Sequence, residues 1–359
     1  MRFTRHFFGL LLMISVSGVF GQGVYRERVQ ALYGNIYRYY YDGKTGVFTE
    51  TNNKDADEKP HSYLWPLCAL VQAANEMEVL QPGKKYIEPV MKAIDQYYSL
   101  KGGITGYDSY VVKEGGGDRF YDDNQWIGLA YIDAYDRTKK KLFLRKAEEI
   151  YRFMMSGFDT VTGGGLYWKE GDMSTKNTCS NGPGVLLALK LYKATKERRY
   201  LDTALVLYDW TNKHLQSPSG TYYDNIKTKD GRIEKRLYTY NTGTMLQSNV
   251  ILYTITGGKK YLQEAQRQAA AGLEEFYHNG RLPGNYWFNA VLMRGYQDLY
   301  EVDKNKVYLQ AVVSDADGIY KTEVNEQGLA GPHPAKKLLD QAGLLEICAR
   351  IAHLQQEGF

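Results

Sequence analysis

The chain has 359 residues, long enough for one large domain or two ordinary ones. Its 45 Lys and Arg against 41 Asp and Glu leave a net charge of +4. That balance argues against a dedicated nucleic-acid binder and gives no reason to expect a strongly acidic substrate. The three cysteines, Cys68, Cys179 and Cys348, are odd in number and far apart, which excludes a disulfide framework and a zinc site built on CxxC pairs. One disulfide stays open; three buried thiols are the expectation.

Arg2 and Arg5 form a basic start, and Phe7 to Val19 is apolar apart from Gly9, Ser15, Ser17 and Gly18. Residues 1–21 therefore read as a secretory signal peptide cut near Gly21-Gln22, and the apolar run is too short for a transmembrane anchor. No cysteine precedes Cys68, which argues against a lipid anchor. The expectation is an exported chain, periplasmic or extracellular, with no membrane-spanning segment in its mature part. Removing the leader brings the net charge to +2. No linker or low-complexity segment divides residues 22–359, so a single domain is expected, and a monomer.

A motif recurs along that domain: basic residues, an aromatic, an aliphatic, then a helical pattern. It appears as KKYIEPVMKAI, KLFLRKAEEI, RRYLDTALVLYDW, KKYLQEAQRQAA and KVYLQAVVSDA. The aromatics, Tyr86, Phe143, Tyr200, Tyr261 and Tyr308, are 57, 57, 61 and 47 residues apart. Between these segments lie more apolar ones starting near Leu64, Asn124, Gly182, Thr242, Asn285 and Lys336, with apolar residues at i, i+3, i+4 and i+7. With an N-terminal helix over VYRERVQALYGNIYRYYY, twelve helices fall into six alternating pairs. A pair of about 50 residues cannot bury its own faces, and stacking with closure can. The pattern predicts an all-α (α/α)6 toroid of six inner and six outer helices. An open solenoid of tetratricopeptide type would repeat every 34 residues or so, which these spacings do not match.

The segments before the apolar helices mix Gly and Asn/Asp turn signals with short β-prone runs, so small β-hairpin loops are expected at one face, around a single cavity mouth. The helix starts would then gather His61 to Trp65, Asp122 to Trp126, Asn177 to Asn181, Tyr238 to Thr242 and Asn285 to Trp287. Amides, hydroxyls and aromatic faces around an acidic pair suit sugars, whose hydroxyls need donors and acceptors and whose C–H faces need flat rings. Asp, Asn, Ser and Thr also cap helices without further purpose. For Asp122-Asp123 capping explains less, because one carboxylate suffices and a second adds repulsion. Two close carboxyls cannot both ionise freely, which separates an acid from a nucleophile. A retaining glycosidase needs its carboxyls about 5–5.5 Å apart, within reach of adjacent residues, and an inverting one about 6.5–9.5 Å.

Tyr121-Asp122-Asp123-Asn124 with Trp126, Ser180-Asn181-Gly182 and Tyr240-Asn241-Thr242-Gly243 resemble glycoside hydrolase family 76, from about Tyr25 to His353. The resemblance implies an (α/α)6 α-1,6-mannanase that acts inside mannan backbones with retention of configuration, without metal or organic cofactor. It implies Asp122 as nucleophile and Asp123 as general acid/base, with Asn124, Asn181, Tyr240 and Asn241 near the sugar. Trp126, one helical turn after Asp122, is expected to wall the pocket, and Trp65, Trp168 and Tyr286 are expected at the mouth from their loop positions. Gly115 to Gly117 is expected as flexible backbone approaching the acidic pair, since the P-loop Lys-Ser/Thr is absent. His61 and the charged loop at Asp55, Asp57 and Glu58 read as structural and solvated, respectively. Gln125 departs from what a sugar cleft would favour beside the pair. The competing readings are another toroidal enzyme, such as an inverting glycosidase, a uronyl hydrolase or an epimerase, and a non-catalytic glycan binder. A uronyl hydrolase needs a basic cluster and an epimerase a histidine pair; a binder has no need of the second aspartate.

Overall fold

The computed structural model describes residues 19–359. The expected leader lies outside them except for its last three residues, which begin the first helix. Twelve α-helices alternate among the described residues. The inner six are α2 (Leu64–Leu80), α4 (Tyr121–Thr138), α6 (Thr178–Thr195), α8 (Thr239–Thr256), α10 (Tyr286–Asp303) and α12 (Leu338–Gln356). The outer six are α1 (Val19–Tyr39), α3 (Ile87–Ile94), α5 (Lys141–Met155), α7 (Arg198–Leu215), α9 (Lys259–Phe276) and α11 (Val307–Thr322).

The two classes differ as their sequences require. In α6 every residue from Thr178 to Leu189 is buried, whereas α5 buries only Phe143, Ala147, Ile150, Phe153 and Met154, one stripe of its surface. Each inner helix packs on the next, and α12 packs on α2, so the ring closes; α1 packs outside α12. Glycine permits the tightest crossings. A Cβ at Gly243 would lie 2.6 Å from the backbone of Leu292, and one at Gly343 would lie 2.4 Å from the Trp287 nitrogen. The predicted toroid is the observed fold.

Four inner helices end in one way. A left-handed residue, Lys139, Lys196, Gly257 or Lys304, returns its N–H to the carbonyl of Tyr135, Tyr192, Tyr253 or Tyr300. The three lysines pay the steric penalty of that conformation, and each sets its ammonium over the tyrosine ring four residues back, at 5.3, 5.8 and 5.0 Å.

At this C-terminal end of the ring a charged layer fills the axis. Arg294 grips Glu346 with two 2.7 Å bonds, and Arg350 reaches both Glu346 at 2.9 Å and Glu76 at 2.8 Å. Lys190 pairs with Asp133, and Gln247 donates to Asp298 at 2.8 Å. All six inner helices contribute.

The other end carries the hairpins. β1 (Tyr41–Asp42) with β2 (Val47–Phe48) precedes α2, and β3 (Tyr98–Lys101) with β4 (Ile104–Tyr107) precedes α4. β5 (Tyr167–Lys169) and β6 (Asp172–Asn177) precede α6, and β7 (Tyr223–Lys227) and β8 (Ile233–Leu237) precede α8. The last two hairpins join into one antiparallel sheet in the order β5-β6-β7-β8, with Asn177 opposite Asn225.

Candidate active site

Under that sheet lies a cavity of about 420 Å³ lined by Asp122, Trp168, Asn177, Cys179, Asp224, Asn225, Lys227, Tyr238, Tyr240 and Phe288, with Asp172, Ser174 and Thr175 at its rim. A larger cavity, about 500 Å³, lies at the far end of α2 and α4, but its acids are neutralised, Glu78 by Arg137 and Glu88 by Lys85. The chemistry therefore belongs to the first.

Neither aspartate caps its helix. The residue before α4 is Phe120, and Asp122 and Asp123 fall within the first turn, where unpaired N–H groups favour negative charge. Both carboxyls keep partial contact with solvent, yet protein surrounds them closely enough for desolvation to dominate. Burial raises the Asp122 pKa, and the Cys179 thiol, the first-turn N–H groups and the Trp168 indole restrain that rise. Asp123 has no such donors; burial and then the charge of Asp122 push it well above the usual carboxylate range. The two carboxyls titrate as a coupled pair, and the stronger upward push falls on Asp123. Trp168 Nε1 donates to Asp122 Oδ2 at 3.2 Å, while Oδ1 is enclosed without a hydrogen-bond partner.

Two buried thiols flank the pair. Cys68 Sγ lies 3.2 Å from the Asp123 carbonyl. Cys179 lines the cavity, and burial, reinforced by the charges of Asp122 and Asp224, keeps its thiol protonated. All three cysteines are free and buried. Tyr240 packs against Phe288 with ring centroids 4.1 Å apart and forms an aromatic wall with Tyr238. Opposite it, Asn177 and Asn225 each present a buried Oδ1 without a partner, and Asn225 Nδ2 donates to Asp224 at 3.1 Å. Among the described residues no group of three or more His, Cys, Asp or Glu is placed to hold a metal ion.

Of the residues singled out in the sequence, Asp122, Trp168 and Tyr240 line the cavity, with Asp123 beside them. Asn124 and Asn181 do not. Asn124 spends its amide on Tyr107 N, Tyr107 O and Phe120 O, and Asn181 on Leu166 N, Leu166 O and Asn177 O. Both fasten loops, and neither has a group left for a sugar. Trp126 is 3% exposed and packs edge-on to Trp287 at 5.5 Å with Arg294 over its ring, one turn below the cavity floor. Trp65, half-buried, meets the other side of Trp287 at 6.0 Å. Tyr286 is buried with its hydroxyl on Glu323, away from the cavity lining. Asn241 is buried with both amide atoms unpaired and lies behind Tyr240 in the helix. Gly116 and Gly117 approach Asp108 and Ser109, where a Cβ would come within 2.3 Å, so the glycine run is a tight turn held against the segment that follows β4 rather than flexible backbone at the pair. Asn177 and Cys179 were gathered among the helix starts without a role of their own, and Asp224 and Asn225 were not singled out. The turn-rich segment before α8 was the only sequence signal for Asp224 and Asn225.

The family described as Glycosyl hydrolase family 76 matches residues 25–316. A family 76 mannosidase of Bacteroides thetaiotaomicron superposes with a TM-score of 0.84 at 28% identity, covering 94% of this chain and 100% of its own. An α-1,6-mannanase of Salegentibacter sp., solved with α-1,6-mannotriose as an inactive variant with two consecutive aspartates changed to asparagine, superposes at 0.80 with 24% identity, covering 92% of this chain and 99% of its own. Mannan endo-1,6-alpha-mannosidase DCW1 of Candida glabrata is 31% identical over 152 residues, 38% of this chain and 34% of the yeast protein. The chain spans about a third to a half of the length of the curated relatives it matches. With four-fifths of its length matched and its ring superposing on solved members, the chain belongs to glycosyl hydrolase family 76.

Proposed function

We propose that this chain is an exported endo-acting α-1,6-mannanase that cleaves mannan backbones with retention of configuration. The observation that carries the reading is the unequal pair on the cavity floor: Asp122 surrounded by donors, Asp123 by none. Asp122 attacks the anomeric carbon, forming a C1–O bond as the glycosidic C1–O bond breaks, and Asp123 passes its proton to the departing oxygen. Asp123, now a carboxylate, takes a proton from water, whose oxygen displaces Asp122 from C1. Asp224, Asn177 and Asn225 supply hydrogen bonds to sugar hydroxyls, and Tyr238, Tyr240 and Phe288 supply the apolar wall. The mannan-directed names of the relatives and the open cavity beneath a four-stranded sheet support a polysaccharide substrate. Export rests on the leader sequence, and no described helix is long and apolar enough to cross a membrane. The reading takes residues 22–359 as one catalytic domain acting as a monomer without a cofactor.

The test is product release from linear α-1,6-mannan by wild type, Asp122→Ala and Asp123→Ala. Oligosaccharides from wild type alone are expected. A wild type that binds mannan without cutting it would make the protein a binder, and one that does neither would overturn the substrate.

A further inference from the structure

Trp168 was expected at the cavity mouth from its loop position, and its surroundings tie it to the reacting carboxylate. The three residues that lead into α4 are zipped to the tip of the β5–β6 hairpin. Lys169 Nζ donates to Asp118 at 3.0 Å, Glu170 N donates to the Arg119 carbonyl at 2.9 Å, and Phe120 forms a bridge with Lys169. Arg119, 1% exposed, grips Glu170 with Nε at 2.7 Å and Nη2 at 2.5 Å, and holds the β3–β4 turn through Ile104 O and Lys101 O. The Trp168 ring packs on Phe120 at 4.9 Å. The backbone entering the catalytic helix and the strand carrying the indole therefore move as one unit.

From this geometry we infer that Trp168 is a positioning residue for Asp122: its indole N–H holds Oδ2 and so fixes the orientation of the carboxylate, and the Arg119–Glu170 clamp sets that contact. Here the nitrogen is committed and the residue is still 40% exposed. The inference rests on the reading of Asp122 as nucleophile.

The titratable groups facing Asp122 are Asp123 on its own helix, Cys68 from α2, Cys179 from α6, Tyr240 from α8 and Asp224 from β7, with Asp172 and Lys227 lining the same cavity. None changes in the deciding variant. Trp168→Phe keeps an aromatic face and removes only the N–H, whereas Trp168→Ala removes both. Losing a donor to the charged form raises the carboxyl pKa. For W168F the expectation is kcat lower by about tenfold with KM held, and the acid limb of the pH–rate profile on α-1,6-mannan moved up by about one pH unit. W168A should add a higher KM. A W168F enzyme with wild-type kcat and an unmoved acid limb overturns the inference and leaves a platform. Should W168F lose thermal stability, Glu170→Ala decides by the same limb: a shift upward supports the clamp, and none overturns it. Inert wild type would sink the mannanase reading itself, a different failure.

Discussion

The carboxamide of Asn181 holds both backbone groups of Leu166: Oδ1 accepts from the Leu166 N–H at 2.8 Å and Nδ2 donates to its carbonyl at 3.0 Å. Nδ2 also reaches the carbonyl of Asn177, the residue just before α6, at 2.8 Å. Asn124 treats Tyr107 and Phe120 the same way before α4, and Gln341 treats Ala330 and Lys337 the same way before α12. Each amide is the fourth residue of an inner helix, and each stands in for a strand neighbour to the preceding loop. Asn181→Ala would leave a buried N–H and carbonyl unpaired, so its unfolding free energy should fall by about 2–4 kcal/mol. Urea denaturation measures this, and a loss below about 0.5 kcal/mol, the range of ordinary surface changes, would contradict the stapling role.

That role was invisible in one dimension. Polar residues at helix starts look alike whether they face a cleft or turn back, and the direction follows from the tilt of helical Cα–Cβ bonds toward the N-terminus. An amide in the fourth position therefore lies over its own entry loop. The toroid was legible because inner helices must be apolar around their whole circumference and outer ones on one stripe. The acidic pair was legible because adjacent like charges need a reason. Trp126 shares a face with Asp122, as the spacing demanded, but one turn down that face is already core. Asp224 and Asn225 reach the site only because β7 pairs with β6, a contact between segments nearly fifty residues apart that no local pattern announces.

The roles proposed for Asp122 and Asp123 are separable by a substrate that needs no acid. With an aryl α-1,6-mannobioside carrying a good leaving group, Asp123→Ala should still form the glycosyl-enzyme, giving a burst of phenol. Its turnover should fall by about 10²–10⁴-fold, the usual share of acid–base assistance. Azide, which needs no base, should restore turnover. Asp122→Ala should give neither burst nor rescue. A burst from the Asp122 variant and none from the Asp123 variant would reverse the assignment.

Asp340 makes a prediction about stability and pH. It is 5% exposed, its Oδ2 has no partner, and a Cβ on Gly331 would lie 2.7 Å from that oxygen. Burial, opposed by Lys337 and assisted by Glu323, pushes its pKa up to about 7. A carboxyl raised on folding is proton-bound in the fold while the unfolded chain has already ionised. Its contribution is full below the ordinary carboxylate range and is lost as pH rises toward 7. Asp340→Asn should therefore stabilise the protein by about 1–2 kcal/mol at pH 8 and leave it unchanged near pH 4. Equal effects at the two pH values, seen in urea midpoints, would remove the electrostatic explanation.

Glu346 should behave in the opposite sense. Its side chain is fully enclosed between Arg294 and Arg350. Burial alone would raise its pKa, but the two guanidinium groups outweigh that and hold it below the ordinary value. Its contribution is therefore present above the ordinary carboxylate range and disappears as pH falls through the lowered one. Glu346→Gln strands the buried Arg294 cation on the ring axis, leaves Arg350 with Glu76 alone, and should cost about 3–5 kcal/mol at neutral pH. The penalty should shrink in acid, where the wild-type carboxyl takes up its proton. Replacing Glu76, Arg294, Glu346 and Arg350 together by Gln, Met, Leu and Met should cost less than the single change, because the charges that pair here are then all removed. If this combined variant is the less stable, the layer contributes net stability as well as fixing how six helices meet.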